Sequence, residues 1–209
     1  MIEPTRVFAL RHGQTAWNAE RRLQGQLDVP LDESGRWQAA RLAQALADEG
    51  LAAIYSSDLQ RAHATALALG DVTGLAVCTY PALRERSFGR LEGLRYAEVD
   101  ARFPVDALHW RQRDLRFAPG GGETLPEFQQ RCVPFVAQLA AGHPGQAIAV
   151  VAHGGVLDCL YRAAAGIALD APRTWQLNNA TINRLLYTGA GADAVVVGWD
   201  EHHHLEPAG

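Results

Sequence analysis

Residues 6–13 read Arg-Val-Phe-Ala-Leu-Arg-His-Gly, and residues 147–155 read Ala-Ile-Ala-Val-Val-Ala-His-Gly-Gly. Each segment is a short apolar run that ends in a histidine followed by glycine. Apolar runs of this length are typical of strands that are buried on both faces of a sheet. The two segments therefore predict two central strands, with His12 at the carboxyl end of one and His153 at the carboxyl end of the other.

Strand-like and helix-like segments alternate along the rest of the chain. Strands are predicted at 51–55, 75–80, 183–188 and 194–199, and helices at 61–69, 96–102, 123–141 and 156–165, with one more helix that Asp32 caps and Gly50 ends. Pro134 is expected to kink or break its helix. The alternation predicts an α/β fold, a three-layer α/β/α sandwich with a mostly parallel central sheet. We expect one domain over residues 1–209, with the long segment 86–122 as an insert that sets specificity.

The composition is that of an ordinary globular protein, with 48% apolar and 20% charged residues in a chain of 209. No apolar run approaches the roughly 18 residues of a membrane span, and residues 1–6 lack a basic leader followed by an apolar stretch. The three cysteines, Cys78, Cys132 and Cys159, form no CxxC pair. We therefore expect a reduced, cytoplasmic protein that does not enter a membrane.

All 19 cationic side chains are arginine, and lysine does not occur. This excludes Schiff-base chemistry on a lysine, a pyridoxal-phosphate lysine and the lysine of a P-loop. The net charge of −4 gives no electrostatic footprint for nucleic acid. We expect no nucleic-acid partner.

Polar residues follow the predicted strands where a ligand is expected. In open α/β sheets ligands bind outside the carboxyl ends of the strands. His12 and His153 stand at two such ends, Glu85 follows a third, and Arg61 opens the helix after the second strand. Guanidinium groups and helix N-termini both suit a phosphoryl dianion, so the sequence predicts a phosphate site at this edge.

Residues 11–18, Arg-His-Gly-Gln-Thr-Ala-Trp-Asn, resemble the RHGxTxxN signature of the histidine phosphatase (phosphoglycerate-mutase-like) superfamily. The resemblance covers nearly the whole chain. It continues through Arg22–Gly25, Pro30–Leu31, Ser56–Ala62, Leu83–Glu85, Gly89–Gly93, Gly121–Thr124, His153–Gly154 and Trp199–Leu205. An RHG tripeptide alone is a modest signal, whereas the ordered set at successive strand edges is specific.

The resemblance implies a role for each residue of the set. His12 is similar to the family nucleophile, which forms a phosphohistidine, and one of its ring nitrogens should donate to a backbone carbonyl while the other attacks. Arg11, Arg61 and His153 are implied to hold the phosphoryl oxygens. Glu85 is implied to be the general acid and base, with Glu92 and Glu123 as rivals for that role.

Four further residues are implied to bind the substrate, namely Asn18, Gln24, Gly25 and Gly154. The resemblance implies no metal and no cofactor, because arginines supply the positive charge. His202–His204 suggest a metal site at first sight, but three consecutive residues on an extended segment cannot all face one ion, so we expect a tail near the mouth of the pocket. The expected substrate is a small-molecule phosphate ester, and a homodimer is compatible with the sequence.

The resemblance leaves more than one reaction open. Hydrolysis of a phosphomonoester leads, because Gly155–Asp158 follow His153 where cofactor-dependent phosphoglycerate mutases carry Asn-Ser-Leu-Arg. Glu85–Leu94 nevertheless resembles the mutase glutamate segment. A phosphatase specific for one metabolite, similar to the α-ribazole phosphatases or fructose-2,6-bisphosphatases, is compatible with the same residues. So is a non-catalytic relative that binds a phosphorylated ligand.

Overall fold

The computed structural model describes residues 3–189 and 193–206. One six-stranded sheet runs through it in the order β3-β2-β4-β1-β5-β6. The strands are β1 (Thr5–Arg11), β2 (Leu51–Ser56), β3 (Val77–Thr79), β4 (Ala147–Ala152), β5 (Ile182–Tyr187) and β6 (Ala194–Glu201). The first four are mutually parallel where they pair, and β5 and β6 are antiparallel. The predicted mostly parallel sheet is confirmed.

Seven α-helices accompany the sheet within the described residues. They are α1 (Ala16–Ala19), α2 (Glu33–Leu46), α3 (Gln60–Thr73), α4 (Tyr96–Arg102), α5 (Pro104–Arg111), α6 (Leu125–Ala141) and α7 (Gly154–Ala165), with short 3₁₀ turns at Pro81–Leu83, Gly89–Leu91 and His203–Leu205. Asp32 caps α2 as predicted, its side chain accepting from the Gly35 N–H.

Alternating side chains of the central strands face two separate cores, which makes the fold three-layered. Val7 and Ala9 of β1 pack with α6 and α7 on one face. Phe8 and Leu10 pack with α2 and α3 on the other. β4 is buried along its whole length between these layers, which is why its sequence is a continuous apolar run.

Two local features differ from the sequence prediction: the chain does not break at Pro134, and one helix forms that was not predicted. α6 runs unbroken through Pro134; this residue is exposed, so the carbonyl that loses its helical partner can reach water. Within segment 86–122, Pro104 starts a second helix, α5, at the position where proline is best tolerated. Residues 1–2, 190–192 and 207–209 of the predicted domain lie outside the described residues, and a single domain over the whole chain stays a prediction.

Candidate active site

The pairing of β1 with β4 brings the two predicted histidines together. Arg11 is the register partner of Ala152, so the next residues, His12 and His153, lie side by side. Their ring centroids are 5.1 Å apart and both side chains are buried. His153 also caps the N-terminus of α7, which places the positive end of that helix at the same point.

The His12 ring is fixed by its own neighbour along the chain. Its Nδ1 lies 2.7 Å from the carbonyl oxygen of Gly13. A carbonyl only accepts, so Nδ1 carries the proton and Nε2 is left with a lone pair. Burial, together with the charges of Arg61 and Arg11, holds the pKa of His12 well below its ordinary value of 6.5. The imidazole is therefore neutral at pH 7, as a nucleophile must be.

His153 is equally neutral but has no fixed partner. Burial, then the nearby charge of Arg61, lowers its pKa well below 6.5. Neither of its ring nitrogens has a hydrogen-bond partner among the described residues. A buried, unpaired imidazole is costly, and a phosphoryl oxygen held beside it would remove that cost.

Two arginines stand beside the histidines and are held by backbone carbonyls. Arg61 donates to Leu27 O (2.9 Å) and Gly25 O (2.7 Å), and Arg11 donates to Leu177 O. The Nε atoms of both arginines are buried with no partner in the described part of the chain. Burial lowers the pKa of Arg61 to about 10, so the side chain stays charged at pH 7.

Glu85 is the carboxylate that the fold brings to this site. Its Oε2 accepts from the Gly155 N–H (3.0 Å) and its Oε1 from the Arg86 N–H (2.8 Å). A Cβ at position 155 would overlap the Glu85 carboxylate, so a glycine is required there. The rivals Glu92 and Glu123 bind backbone N–H groups or Arg131, and neither lines the cavity.

A cavity of about 880 Å³ opens above these groups. Every predicted site residue except His153 lines it, namely Arg11, His12, Asn18, Gln24, Gly25, Arg61, Glu85 and Gly154. His153 lies directly beside His12 without lining the cavity. The structure therefore brings the whole predicted set to one place.

Asn18 reaches the cavity from α1, and Gln24 from the loop that follows this helix. Asn18 completes the capping box of α1 with the N-cap residue Thr15, its Oδ1 accepting from the Thr15 N–H at 3.0 Å. The Oε1 of Gln24 is buried and has no partner among the residues described. Gly25 adopts a φ of +52° and turns its carbonyl toward Arg61, while its α-carbon faces Glu92 too closely for a side chain.

Several cavity residues were not predicted. Arg86, which follows Glu85, is buried and lines the cavity, and its position next to Glu85 was a usable signal. Further lining residues that the sequence did not single out as site residues are Arg21, Arg22, Phe88, Tyr96, Asp158 and Arg173.

Only some of the arginines and aromatic residues of segment 86–122 line the cavity. Arg111, Arg113 and Trp110 line it. The residues of these types that do not line it include Arg95, Arg102, Phe103, Arg116 and Phe117, and Trp17 of α1 does not line it either.

The histidine tail lies behind the site rather than at its mouth. His204 Nε2 is 2.9 Å from the carbonyl oxygen of Ala180, and none of His202–His204 lines the cavity. The described residues hold no group of three or more His, Cys, Asp or Glu side chains arranged for a metal ion. Within the same residues, no helix combines the length and apolar character of a membrane span.

Comparisons with known proteins agree with this geometry. The model of the histidine phosphatase superfamily (branch 1) matches residues 7–200. Glucosyl-3-phosphoglycerate phosphatase of Mycobacterium tuberculosis is 38% identical over 204 residues, 93% of this chain and 91% of that protein. Metal-independent phosphoserine phosphatase of Arabidopsis thaliana is 35% identical over 211 residues, 99% of this chain and 86% of that protein.

A relative named as a probable phosphoglycerate mutase matches too. The protein from Yersinia pestis is 35% identical over 185 residues, 87% of this chain and 84% of that protein. Among solved structures, native mycobacterial glucosyl-3-phosphoglycerate phosphatase superposes with a TM-score of 0.86 at 36% identity, covering 96% of this chain and 100% of that one. The chain belongs to the histidine phosphatase superfamily, branch 1, and is an enzyme of that superfamily.

Proposed function

We propose that the protein hydrolyses phosphomonoesters without a metal ion, through a phosphohistidine on His12. One observation carries the proposal. The bond from His12 Nδ1 to Gly13 O (2.7 Å) leaves Nε2 as a neutral nucleophile on a cavity that Arg11, Arg61 and Glu85 also line. Nucleophile, charge-stabilising groups and a proton carrier thus share one site.

In the first step, Nε2 of His12 attacks phosphorus and the bond to the ester oxygen breaks. Glu85 gives its proton to the departing oxygen, which leaves as an alcohol. Arg11, Arg61 and His153 donate to the phosphoryl oxygens, where negative charge spreads in the transition state.

In the second step, water attacks the phosphohistidine. Glu85, now a carboxylate, takes a proton from that water, and the phosphorus–nitrogen bond breaks. Inorganic phosphate leaves and His12 returns to the neutral form, with its Nδ1 proton retained throughout.

The charges around the cavity indicate the kind of ester. Eight arginines and three carboxylates line it, more positive charge than one phosphate dianion requires. We propose that the preferred ester carries a second anionic group. The substrates in the names of two relatives, glucosyl-3-phosphoglycerate and phosphoserine, both have a carboxylate next to the phosphate ester. Segment 86–122 supplies much of the wall away from His12 and is the proposed determinant of specificity.

p-Nitrophenyl phosphate hydrolysis in the presence of EDTA tests the reaction. We expect turnover by the wild type and a loss of about 10⁴-fold or more in His12→Ala, the size seen when a covalent nucleophile is removed. His63→Ala is the matched control, because His63 lies on α3 away from the cavity. Equal turnover by wild type and His12→Ala would sink the phosphohistidine mechanism. No turnover by folded wild type would favour a binding protein.

Phosphoglycerate mutase activity is the second candidate, since Glu85–Leu94 resembles the mutase segment and one relative is so named. A mutase must exclude water from the phosphohistidine, whereas a phosphatase must admit it. Incubation of the protein with 3-phosphoglycerate and its bisphosphate primer distinguishes the two activities. Net release of phosphate supports hydrolysis, and isomerisation without release supports the mutase.

A cytoplasmic location, a homodimer, the absence of a nucleic-acid partner and the absence of any metal or cofactor stay predictions. Activity that survives EDTA and dialysis tests the last of these directly.

A further inference from the structure

We infer that Asn179 is a positioning residue for phosphoryl transfer, holding the backbone at His12 and orienting the Asn18 amide toward the phosphate. This inference rests on the proposed function, because it assigns a second layer to the same site. Asn179 lies in the irregular segment between α7 and β5, belongs to no motif found in the sequence, and does not line the cavity.

The side-chain amide of Asn179 bridges three acceptors of the site. Its Nδ2 donates to His12 O (3.0 Å), Gly13 O (3.4 Å) and Asn18 Oδ1 (3.4 Å). Backbone carbonyls only accept, so the nitrogen end of the amide must face them. Gly13 O is also the acceptor for His12 Nδ1, the bond that leaves Nε2 free to attack. Asn179 therefore contacts the atom that selects the tautomer of the nucleophile.

The orientation of the Asn18 amide is likewise determined by the backbone group that faces it. The Thr15 N–H and the Thr15 hydroxyl both lie 3.0 Å from Asn18 Oδ1. A backbone N–H only donates, so the atom it meets must be the oxygen. Asn18 Nδ2 then points to the other side and has no partner among the described residues, while Asn18 lines the cavity. Asn179 adds a further donor to Oδ1 and so opposes rotation of the amide.

The segment that carries Asn179 is itself fixed from two sides. Asn178 donates from its backbone and side-chain nitrogens to the Asp200 carboxylate of β6 (2.9 and 2.7 Å). Ala180 adopts a φ of +54°, an unfavourable conformation for a residue with a Cβ. Its N–H donates to His12 O (3.2 Å), and its carbonyl oxygen lies 2.9 Å from His204 Nε2. Such strain persists where surrounding contacts impose it, most often at functional sites.

A double-mutant cycle between the two asparagines tests the inference. We expect Asn179→Ala to lower kcat/KM about 10-fold in the wild-type background but only about 2-fold in the Asn18→Ala background, because coupled neighbours are not additive. For the same four proteins, calorimetry measures the Kd of inorganic phosphate, which gives a second cycle. Gln176→Ala, an exposed amide in the same segment, is the matched control and should change neither quantity. Equal losses in both backgrounds, in rate and in phosphate affinity, would overturn the inference.

Asn179→Asp gives a pH signature that a general loss of structure cannot produce. At neutral pH the introduced carboxylate would face three acceptors without a donor, and we expect a loss of about 100-fold from unmatched buried groups. Protonation restores an O–H donor, so activity relative to wild type should rise as pH falls toward 5. A ratio that stays constant with pH contradicts the inference.

The two proposals fail separately. Absence of turnover in folded wild type would remove the proposed hydrolysis. The phosphate-affinity cycle would still decide for or against Asn179, because it measures anion binding and needs no chemistry.

Discussion

Two groups of residues at the cavity are built in different ways. The first, the proposed phosphate-binding floor (Arg11, His12, Arg61 and His153), sits on strand ends and a helix start. His153 is 0% and Arg61 1% exposed, and carbonyl groups fix His12 and both arginines. The second, which we call the distal wall (Phe88, Tyr96 and Trp110), comes from segment 86–122 and sits on or next to short helices, and Tyr96 is 48% exposed.

This difference separates chemistry from specificity. In the proposed mechanism the floor contacts only the phosphoryl group, which all phosphate esters share, so its alteration should affect every ester alike. The distal wall rests on a small cluster of four buried residues, Leu23, Leu91, Val99 and Ala107. Changes there should alter the choice among esters while leaving the chemistry in place.

We expect the largest effect from Glu85→Gln, which keeps the shape of the side chain but removes the proton that it donates to the leaving group. Alkyl phosphates need protonation of the leaving oxygen, so we expect their kcat to fall about 10³-fold, the usual size of general acid catalysis. p-Nitrophenolate leaves without a proton, so the first step should survive. Rapid-mix kinetics should then show a burst of p-nitrophenolate close to the enzyme concentration, followed by slow hydrolysis.

Gly155→Ala is the companion to that variant. Its new Cβ would displace the Glu85 carboxylate, so we expect the same preference for good leaving groups with the glutamate still present. Equal losses in the rate of the first step, measured as release of the alcohol or of p-nitrophenolate before the slow hydrolysis, would remove Glu85 from the role of acid.

Arg61→Lys tests the floor with a smaller effect. A lysine keeps one positive charge, but its donors all sit on one nitrogen, whereas Arg61 reaches Leu27 O and Gly25 O from two nitrogens and keeps its Nε, which no described residue engages, free for phosphate. We expect kcat/KM to fall about 100-fold for all esters tested, the cost of one lost oxyanion donor. Arg36→Lys, on the exposed side of α2, is the control. Losses that vary widely from ester to ester would show that Arg61 contacts the leaving group.

The two histidines of the floor could be predicted from the sequence because each stands directly after an apolar strand in the chain. The runs that end at His12 and His153 fix the sheet edge, and parallel pairing then places both histidines together. Glu85 could be placed near this edge by the same reasoning. Its selection over Glu92 and Glu123 rested on the family resemblance, because only the folded chain shows which carboxylates are occupied elsewhere.

The remaining parts of the site could not be predicted, because they depend on contacts between residues that are far apart in the chain. Asn179 reaches His12 O across 167 positions of sequence, and no local pattern indicates that contact. Arg111 at the end of α5 and Arg113 just beyond it line the cavity, whereas Arg116 does not. Spacing alone cannot separate two arginines in an irregular segment.

Trp110→Ala tests the distal wall. The indole stacks on Phe88 with ring centroids 5.0 Å apart and lines the cavity. We expect the KM for p-nitrophenyl phosphate to rise several-fold, up to about 10-fold, with kcat nearly unchanged, as for a lost contact that binds ground and transition states equally. A small ester such as phosphoserine should be less affected. Trp37→Ala, at an exposed position on α2, is the control, and an equal fall in kcat for all esters would contradict a specificity role.

The floor should also determine how stability depends on pH, the smallest of the expected effects. Burial holds the pKa of both His12 and His153 well below 6.5, whereas the unfolded chain takes up these protons near 6.5. Below pH 6.5 unfolding therefore binds protons, and the free energy of unfolding falls as pH falls, by about 1.4 kcal/mol per pH unit for each histidine. Half-buried His204, whose pKa is also lowered by burial, adds a smaller part.

Urea unfolding between pH 7.5 and 5.5 measures this slope. The range stays above the region where Asp58 titrates, because the Arg84 ion pair lowers the pKa of that carboxyl below its ordinary value. His153→Gln removes one of the titrating groups, so we expect the slope to decrease, by an amount that approaches about 1.4 kcal/mol per pH unit only at the acid end of this range. Trp110→Ala should leave the slope as it is in the wild type, since the distal wall contributes no buried histidine. An unchanged slope in His153→Gln would mean that folding does not shift the pKa of His153. An increased slope would mean that the folded protein holds this imidazole protonated, as a third positive charge for phosphate.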